Sequence, residues 1–325
     1  MNKKFNLLKK ILIYFSSILG LVLVFLICVV LILEFGPSKT ARNLFVNSAM
    51  ESSAGKFLAT MFISKERIEE IQKSNSVEKV KDTTDSSLID IRKDKEDIDK
   101  LEIIKVKGST FKGILAIVHD PSRVTIGVSG PYGPSYSGKT VEDMAKSYNA
   151  VLATNGGGFE DAGGMGNGGT PIGIVISEGK IVYGSASKTY ELIGFDNDNK
   201  LVVGNMTGAE ALNRGVRDAL SFGPILIVNG KAAKINGTGG GLNPRTAIGQ
   251  REDGAVLLLV IDGRQANSLG ASYEDVMNVL LEYGAINGAN LDGGSSSLLY
   301  YEGKYINNSS SLVGAREMPT SIIVR

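Results

Sequence analysis

The longest apolar run lies close to the N-terminus. Residues 11–33 read ILIYFSSILGLVLVFLICVVLIL, a stretch of 23 positions without a charged side chain. At a rise of 1.5 Å per residue, a helix of this length crosses the ~30 Å hydrocarbon core of a bilayer. Four lysines precede the run and an acidic residue follows it, which by the positive-inside rule predicts a cytoplasmic N-terminus. We therefore expect residues 1–36 to form a single-pass anchor, with the rest of the chain outside the cell.

A cleaved signal peptide is the alternative interpretation of this run. The apolar core of a signal peptide is usually about 7–15 residues and is followed by a small-residue cleavage site. The run here is longer, and no A-x-A-like sequence closely follows it. The pattern therefore favours an uncleaved anchor.

The pattern changes twice more before residue 101. Residues 37–63 mix small and apolar positions, which is typical of a membrane-surface helix or a short packed hairpin. From residue 64, isolated Ile, Val and Leu residues stand among mixed charges, too few to form a core of their own. We interpret residues 37–100 as a membrane-proximal segment and a solvated, partly helical stalk that holds the next domain away from the membrane.

From Leu101 onward, short β-like runs are broken by Gly, Asn, Asp and Pro. The runs lie at residues 101–106, 112–119, 123–129, 150–154, 171–177, 221–229, 255–262 and 320–325. Since strands and helices do not alternate regularly, a doubly wound parallel sheet is disfavoured. We predict a single α+β domain over residues 101–325, with mixed β-sheets, few helices and a function carried by loops.

Three helix starts are marked by a Ser or Thr followed three residues later by an acid, at Thr140, Thr207 and Ser272. The third opens the longest helical pattern of this region. Its apolar stripe consists of Val276, Val279, Leu280 and Tyr283, and Gly284 supplies a stop signal.

The amino-acid composition argues against several classes of function. Lys plus Arg (35) nearly balances Asp plus Glu (34), so the net charge does not support a nucleic-acid partner. One cysteine excludes an intramolecular disulfide framework, and one histidine excludes a His-rich metal cage and disfavours a Ser–His–acid triad. Tryptophan is absent, so the stacking of sugars falls to Tyr or Phe. Only Gly20, Gly36 and Gly55 precede residue 101, so 37 of the 40 glycines lie in the predicted domain.

Polar residues among glycines follow strand ends in four stretches, at residues 150–173, 241–249, 260–264 and 286–301. The candidate site residues they contain are Asn155, Gly156, Gly157, Gly158, Glu160, Asp161, Arg245, Asp262, Arg264, Asp292, Gly293, Gly294, Ser295 and Ser296. Glycines let backbone amides approach a bound group because no Cβ intervenes. Plainer alternatives stay open: a flexible linker at Gly156–Gly158, ordinary Asp-Gly turns, and a serine-rich turn after Asp292.

Taken together, these stretches resemble the phosphodiester glycosidase family over residues 101–325. The resemblance rests on the order N-G-G-G-F, P-I-G-I-V-I-S-E-G, F-G-P-I-L-I-V-N-G, N-P-R-T-A-I-G, V-I-D-G-R, N-L-D-G-G-S-S-S and R-E-M-P-T-S-I-I-V. The family includes the mammalian lysosomal enzyme that removes N-acetylglucosamine from its phosphodiester, and many bacterial proteins labelled as exopolysaccharide-biosynthesis proteins. The anchor and stalk resemble an arrangement common in Gram-positive bacteria. One departure is Glu160, where many relatives have an aromatic residue.

The resemblance implies a membrane-anchored extracellular hydrolase that cleaves the glycosidic C–O bond of a sugar-1-phosphodiester in cell-envelope or exopolysaccharide glycans. Such a site needs donors for the phosphate and a carboxylate facing the anomeric carbon. Candidates for the phosphate are Arg245, Arg264 and Arg316, with amide nests at Gly156–Gly158 and Gly293–Gly294. Candidates for the carboxylate are Asp292 first, as nucleophile or base, and then Glu160 and Asp262. Ser295 and Ser296 are expected to bond sugar or phosphate oxygens.

Two other classes are weighed against this hydrolase. A non-catalytic glycan-binding or assembly module of envelope polysaccharide biosynthesis would use the same loops without turnover. A metal-dependent phosphodiesterase would need a cluster of His and Asp ligands, which a chain with one histidine hardly provides. No cofactor is expected, although an all-oxygen Ca²⁺ site built from Asp or Asn stays open.

Overall fold

Three antiparallel sheets position the loops that carry the candidate residues. The structure, a computed structural model, describes residues 2–53, 55–91, 98–161, 166–311 and 314–325. The helices are α1 (Asn2–Phe35), α2 (Lys39–Met50), α3 (Lys56–Thr60), α4 (Lys65–Ser74), α5 (Val141–Ser147), α6 (Gly208–Asn213) and α7 (Tyr273–Glu282). The strands are β1 (Leu101–Lys107), β2 (Lys112–Val118), β3 (Val124–Val128), β4 (Leu152–Asn155), β5 (Val175–Ser177), β6 (Lys180–Tyr183), β7 (Thr189–Asp196), β8 (Leu201–Thr207), β9 (Val216–Ser221), β10 (Ile225–Val228), β11 (Lys231–Ala232), β12 (Arg245–Arg251), β13 (Val256–Ile261), β14 (Ala285–Leu291), β15 (Leu299–Tyr301), β16 (Lys304–Tyr305) and β17 (Thr320–Val324).

The largest sheet has the strand order β1-β2-β13-β12-β14-β10-β11. The second sheet has the order β16-β15-β4-β17-β3, and the third has the order β6-β5-β9-β7-β8. Neighbouring strands run antiparallel in all three sheets of the described chain. The predicted α+β class is confirmed.

The strand β13 in the largest sheet is apolar at every position because both of its faces are buried. Val256, Leu258 and Val260 pack into the core that this sheet shares with the other two sheets. The alternate residues, Leu257 and Leu259 among them, pack on the opposite face together with α7. Because side chains alternate across a strand, a strand covered on both faces is apolar at every position.

The three predicted helix starts are found. Thr140, Thr207 and Ser272 each accept a hydrogen bond from the amide three residues later, and the last two form complete capping boxes. Gly284 follows α7 with a φ of +85°, a conformation that favours glycine. The α7 stripe packs on the sheet as predicted.

The helix α1 contains the apolar segment Lys9–Phe35, whose most apolar 18-residue window has a mean hydropathy of 3.2 and is almost entirely exposed. By length and composition it is suited to cross a membrane, and a signal sequence has the same properties. Orientation across a membrane stays a prediction.

The expectation of a solvated stalk is wrong for residues 64–90, because α4 packs against α2 and residues 76–90 pack on the domain. Ile68 and Ile71 of α4 join an apolar cluster with Val46 of α2. Beyond α4, the amide of Thr84 donates to the carbonyl of Val203 at 3.0 Å. Backbone hydrogen bonds to existing strands thus order a segment that is too polar to form a core. The boundaries at residues 36 and 100 stay predictions.

Candidate active site

A cavity of about 590 Å³ lies where the ends of β12, β13 and β14 meet the segment that follows α2. The charged side chains that line it are Glu51, Asp161, Arg245, Arg264, Asp292 and Arg316. A cavity of similar volume beside Asp120 and Asn197 has three aspartates and a single cation, Lys200, in its lining, a charge balance that does not suit an anionic substrate. The presence of three guanidinium groups in the same cavity as Asp292 therefore marks the first cavity as the candidate active site.

Backbone contacts hold Asp292 directly after β14. Its amide donates to the carbonyl of Gly156 at 3.0 Å, and its carbonyl accepts from Asn155 Nδ2 at 2.6 Å. Its Oδ1 accepts from the amide of Gly293 at 2.9 Å. Burial raises the pKa of Asp292 to about 6, against the opposing hydrogen bonds from Ser296 and Gly293. A carboxyl group with such a pKa can exchange a proton near neutral pH.

Asn155 lies behind the cavity and positions Asp292. Its side chain is buried, and its Oδ1 accepts from Thr246 Oγ1 at 2.8 Å while its Nδ2 is bound to the Asp292 carbonyl. The sequence predicts that Asn155 contacts the substrate directly. In the structure Asn155 does not line the cavity, and it positions Asp292 instead.

The predicted anion nest at Gly156–Gly158 is wrong for its first two amides. The amide of Gly156 donates to the Thr320 carbonyl at 3.0 Å, and that of Gly157 donates to Thr320 Oγ1 at 2.9 Å. The glycines are required by close packing instead. A Cβ on Gly156 would lie 2.6 Å from Thr320 Oγ1, and one on Gly158 would lie 2.7 Å from the ring of Phe222. Of the three, Gly158 lines the cavity.

The second predicted nest is also engaged within the fold. The amide of Gly293 donates to the Asp292 carboxylate, and that of Gly294 donates to the Pro244 carbonyl at 2.9 Å. Gly294 has a φ of +62°, and a Cβ there would lie 3.3 Å from the guanidinium of Arg264. Gly294 thus makes room for Arg264, and the amides of both glycines are engaged within the fold.

Arg264 is the best placed of the arginines to bind a phosphate. Its Nη2 donates to Asn243 Oδ1 at 2.9 Å, and it makes no ion pair with a carboxylate among the described residues. Burial, together with the charge of Arg245, lowers the pKa of Arg264. Its φ of +58° is unusual for a residue with a side chain, and such strain is common at functional sites.

Arg245 is already neutralised by a residue from outside the predicted domain. It is 4% exposed, and its Nη2 donates to Glu51 Oε2 at 2.6 Å and to the Gly241 carbonyl at 2.7 Å. Its guanidinium lies 3.9 Å from the ring centroid of Tyr273. Arg245 therefore joins the membrane-proximal segment to the cavity wall.

Arg316 forms a two-pronged ion pair with Asp161, with N–O distances of 2.9 and 3.1 Å, above the ring of Phe159. Although burial raises the pKa of Asp161, hydrogen bonds from Arg316 and from the amide of Gly166 hold it below its usual value. Asp161 is therefore a permanent anion that orients Arg316.

The two predicted serines differ in their contacts. Ser295 lines the cavity, 3.5 Å from Arg316. Ser296 is almost fully buried, and its hydroxyl hydrogen-bonds Asp292. Ser295 is thus placed to contact a ligand, whereas Ser296 stabilises the carboxylate.

Two predicted catalytic acids lie away from this cavity. Glu160 is exposed and lines a separate cavity of about 560 Å³ together with Lys188. Asp262 Oδ1 accepts from Asn307 Nδ2 at 3.1 Å and from the Asn308 amide at 3.0 Å, so it anchors a neighbouring loop. Burial raises the pKa of Asp262, but no contact links it to the cavity in the described residues.

Sequence reasoning missed several lining residues. Asn243 and Asn290 stand two residues from Arg245 and Asp292, and this proximity was a usable signal. Glu51, by contrast, comes from a segment without a motif, so its role depends on tertiary packing. In the described part of the chain, no group of three or more His, Cys, Asp or Glu side chains is placed to hold a metal ion.

Comparison with known proteins agrees with this geometry. A family model described as phosphodiester glycosidase matches residues 148–325. The SPbeta prophage-derived uncharacterized protein YomE of Bacillus subtilis (strain 168) is 36% identical over 183 residues, which are 53% of this chain and 27% of that protein. The N-acetylglucosamine-1-phosphodiester alpha-N-acetylglucosaminidase of Bos taurus is 30% identical over 213 residues, 59% of this chain and 39% of that enzyme. The matched regions thus span less than half of these curated relatives.

A solved structure supports the fold. The zebrafish N-acetylglucosamine-1-phosphodiester alpha-N-acetylglucosaminidase catalytic domain, described as auto-inhibited by pro-peptide, has a TM-score of 0.59 at 23% identity. The match covers 75% of this chain and 87% of that one. Because the family model covers more than half of the sequence and contains the cavity-forming motifs, the chain belongs to the phosphodiester glycosidase family.

Proposed function

We propose that the chain is a hydrolase that cleaves the bond between the anomeric carbon of a sugar and a phosphodiester oxygen. The observation that carries this proposal is the placement of Asp292 and Arg264 in one cavity. The first is a carboxyl group with a pKa of about 6, and the second is a cation without a carboxylate partner among the described residues. This combination matches a reaction in which positive charge develops on the ring and negative charge on the phosphate.

In this reaction the C1–O bond breaks and its electron pair stays on the phosphate oxygen. Arg264 stabilises that charge, and a new bond forms from C1 to the oxygen of water. As a base, Asp292 accepts the proton of that water; as a nucleophile, it first forms a glycosyl ester that water then hydrolyses. Both routes yield a free sugar and a phosphomonoester, and a phosphate leaving group needs little protonation.

We further propose the cellular setting that the sequence predicts. The helix α1 is an uncleaved anchor, the N-terminus is cytoplasmic, and the substrate is a cell-envelope or exopolysaccharide glycan at the outer face of the membrane. The three-part division into residues 1–36, 37–100 and 101–325 belongs to this proposal. Because Glu51 lines the cavity, assays should use the full chain.

Product analysis tests the activity. The full chain in detergent, incubated with a panel of sugar-1-phosphodiesters, should release free sugar and a phosphomonoester. Release of a sugar-1-phosphate would indicate a phosphodiesterase. Saturable binding without turnover of any substrate would favour the glycan-binding module.

Protease accessibility tests the setting. Protease added to intact cells that express the full chain should digest residues 37–325 and leave the cytoplasmic tip. Protection of this region until lysis would overturn the orientation, and release of the processed chain into the medium would indicate a cleaved signal peptide.

A further inference from the structure

Asn290 carries a buried acceptor atom without a partner in the cavity wall. The residue is 1% exposed, and its Nδ2 donates to the carbonyls of Gly223 at 2.9 Å and Leu291 at 2.7 Å. These two bonds set the orientation of the amide. Its Oδ1 is buried, and among the residues that the structure describes no donor reaches it.

A buried acceptor without a hydrogen-bond donor costs free energy. A ligand that supplies a donor to this atom would therefore bind more tightly. A carbonyl-type oxygen can only accept, and its partner is therefore an O–H or N–H group. The ionised phosphodiester group itself has no such donor, so the donor lies on one of the two groups that it links. The sugar half carries hydroxyl groups, and in some sugars an amide N–H.

The position of Asn290 suits the sugar half. Asn290 and Asp292 are two residues apart at the end of β14, and side chains at such spacing in an extended strand lie on the same side, roughly 7 Å apart. This separation is about the width of a pyranose ring. A sugar whose anomeric carbon faces Asp292 can therefore reach Asn290 with a ring substituent.

An aromatic ring stands beside this acceptor. Phe222 lines the cavity and is partly buried, and it precedes Gly223, whose carbonyl binds Asn290. Gly158 allows the ring to lie against the backbone, since a Cβ there would be 2.7 Å from it. The flat apolar ring offers a surface for the C–H face of a sugar.

We propose that Asn290 and Phe222 form the sugar subsite of this cavity, in which Asn290 Oδ1 selects a sugar with a hydrogen-bond donor at one ring position. The proposal rests on the proposed function. It divides the cavity into a sugar end and a phosphate end, the latter formed by Arg264.

A substrate-by-variant comparison tests the assignment. The full wild-type chain and Asn290→Ala are assayed for kcat/KM on a sugar-1-phosphodiester and on its set of monodeoxy and deacetamido analogues. In wild type, one analogue should lose roughly 10- to 100-fold, because the buried acceptor is left unpaired. In Asn290→Ala, that analogue and its parent should react at nearly equal rates.

Asn243→Ala is the matched control. Asn243 lines the same cavity, but its Nδ2 donates to Glu51 and its Oδ1 accepts from Arg264. This variant should lower the rates on parent and analogues by the same factor. Equal penalties for every analogue in wild type, or an unchanged penalty in a folded Asn290→Ala variant, would overturn the proposal.

Two further outcomes keep the test decisive. If Asn290→Ala does not fold, the kcat/KM values of the wild-type chain on the analogues still test the proposal. The loss must then be concentrated in the analogue that lacks the donor at one ring position. If the parent substrate is not turned over at all, the proposed function fails; turnover with a flat analogue profile refutes only the subsite.

Discussion

At the scale of single residues, Asp292 combines its proposed catalytic role with an environment that disfavours its charged form. Burial raises its pKa to about 6, so its carboxylate form is complete only above that pH. Wild-type kcat should therefore fall as the pH drops through about 6. At pH 7.5, Asp292→Asn should lower kcat by roughly three orders of magnitude, about 4 kcal/mol, with a small change in KM. A folded variant with near-normal kcat would contradict the catalytic role.

The same pKa shift predicts that this substitution stabilises the protein. The folded state binds the Asp292 proton more tightly than the unfolded chain does, so stability is lost as the pH rises from 3.8 to about 6. Asp292→Asn removes this cost, and its free energy of unfolding should exceed that of wild type at pH 7.5. The difference should be up to about 3 kcal/mol, at about 1.4 kcal/mol per pKa unit. Urea unfolding at pH 7.5 and pH 4 checks this, since the advantage should disappear at the lower pH.

Arg245 and Arg264 are both candidate phosphate ligands in the sequence, but their substitutions should have different effects on KM and on stability. Arg264→Ala removes a cation that has no carboxylate partner among the described residues, so KM should rise about tenfold or more with little loss of stability. Arg245→Ala leaves Glu51 without its ion-pair partner at the cavity wall, so the melting temperature should drop. Kinetics and thermal melting of both variants separate the roles. Equal effects of the two substitutions on KM and stability would contradict this division.

Local sequence explains which of the predicted site residues the structure places at the cavity. Asp292 and Arg264 stand next to glycines at strand ends, and local sequence was enough to bring them to the cavity. The partners of Arg245 and of the glycine amides are distant in sequence, so whether these groups are free or engaged depends on tertiary packing.

At the scale of elements, the strands and helix starts of the domain follow from local patterns. Short β-like runs, capping residues and the α7 stripe are short-range signals, and the structure confirms them. Residues 76–90 were misjudged because their order comes from hydrogen bonds to strands that are distant in sequence. Low apolar density excludes an independent core, but it does not exclude attachment to an existing one.

Two neighbouring residues of this segment test its attachment. Ile89 is 2% exposed and Leu88 is 43% exposed. Ile89→Ala should lower the free energy of unfolding of the domain by about 2–4 kcal/mol, because it removes packed methyl groups. Leu88→Ala, the control, should change it by less than about 1 kcal/mol. Small and equal effects in denaturant titrations would show that the segment is not part of the folded unit.

At the scale of the whole molecule, the segment that follows α2 and the predicted domain at residues 101–325 both line one cavity. The contact between Glu51 and Arg245 joins them, so helix α1 is connected to the site through α2 and the residue that follows it. A substrate must enter a cavity whose wall is partly made by this segment. This arrangement agrees with the proposed action close to the membrane surface.

The central claim is that water attacks the anomeric carbon and leaves the phosphorus untouched. The most direct measurement is hydrolysis of a sugar-1-phosphodiester by the full chain in ¹⁸O-labelled water, followed by mass spectrometry of both products before the sugar exchanges its anomeric oxygen. We expect ¹⁸O in the free sugar and none in the phosphomonoester. Label in the phosphate would show cleavage of the P–O bond and contradict the assignment of Asp292 and Arg264.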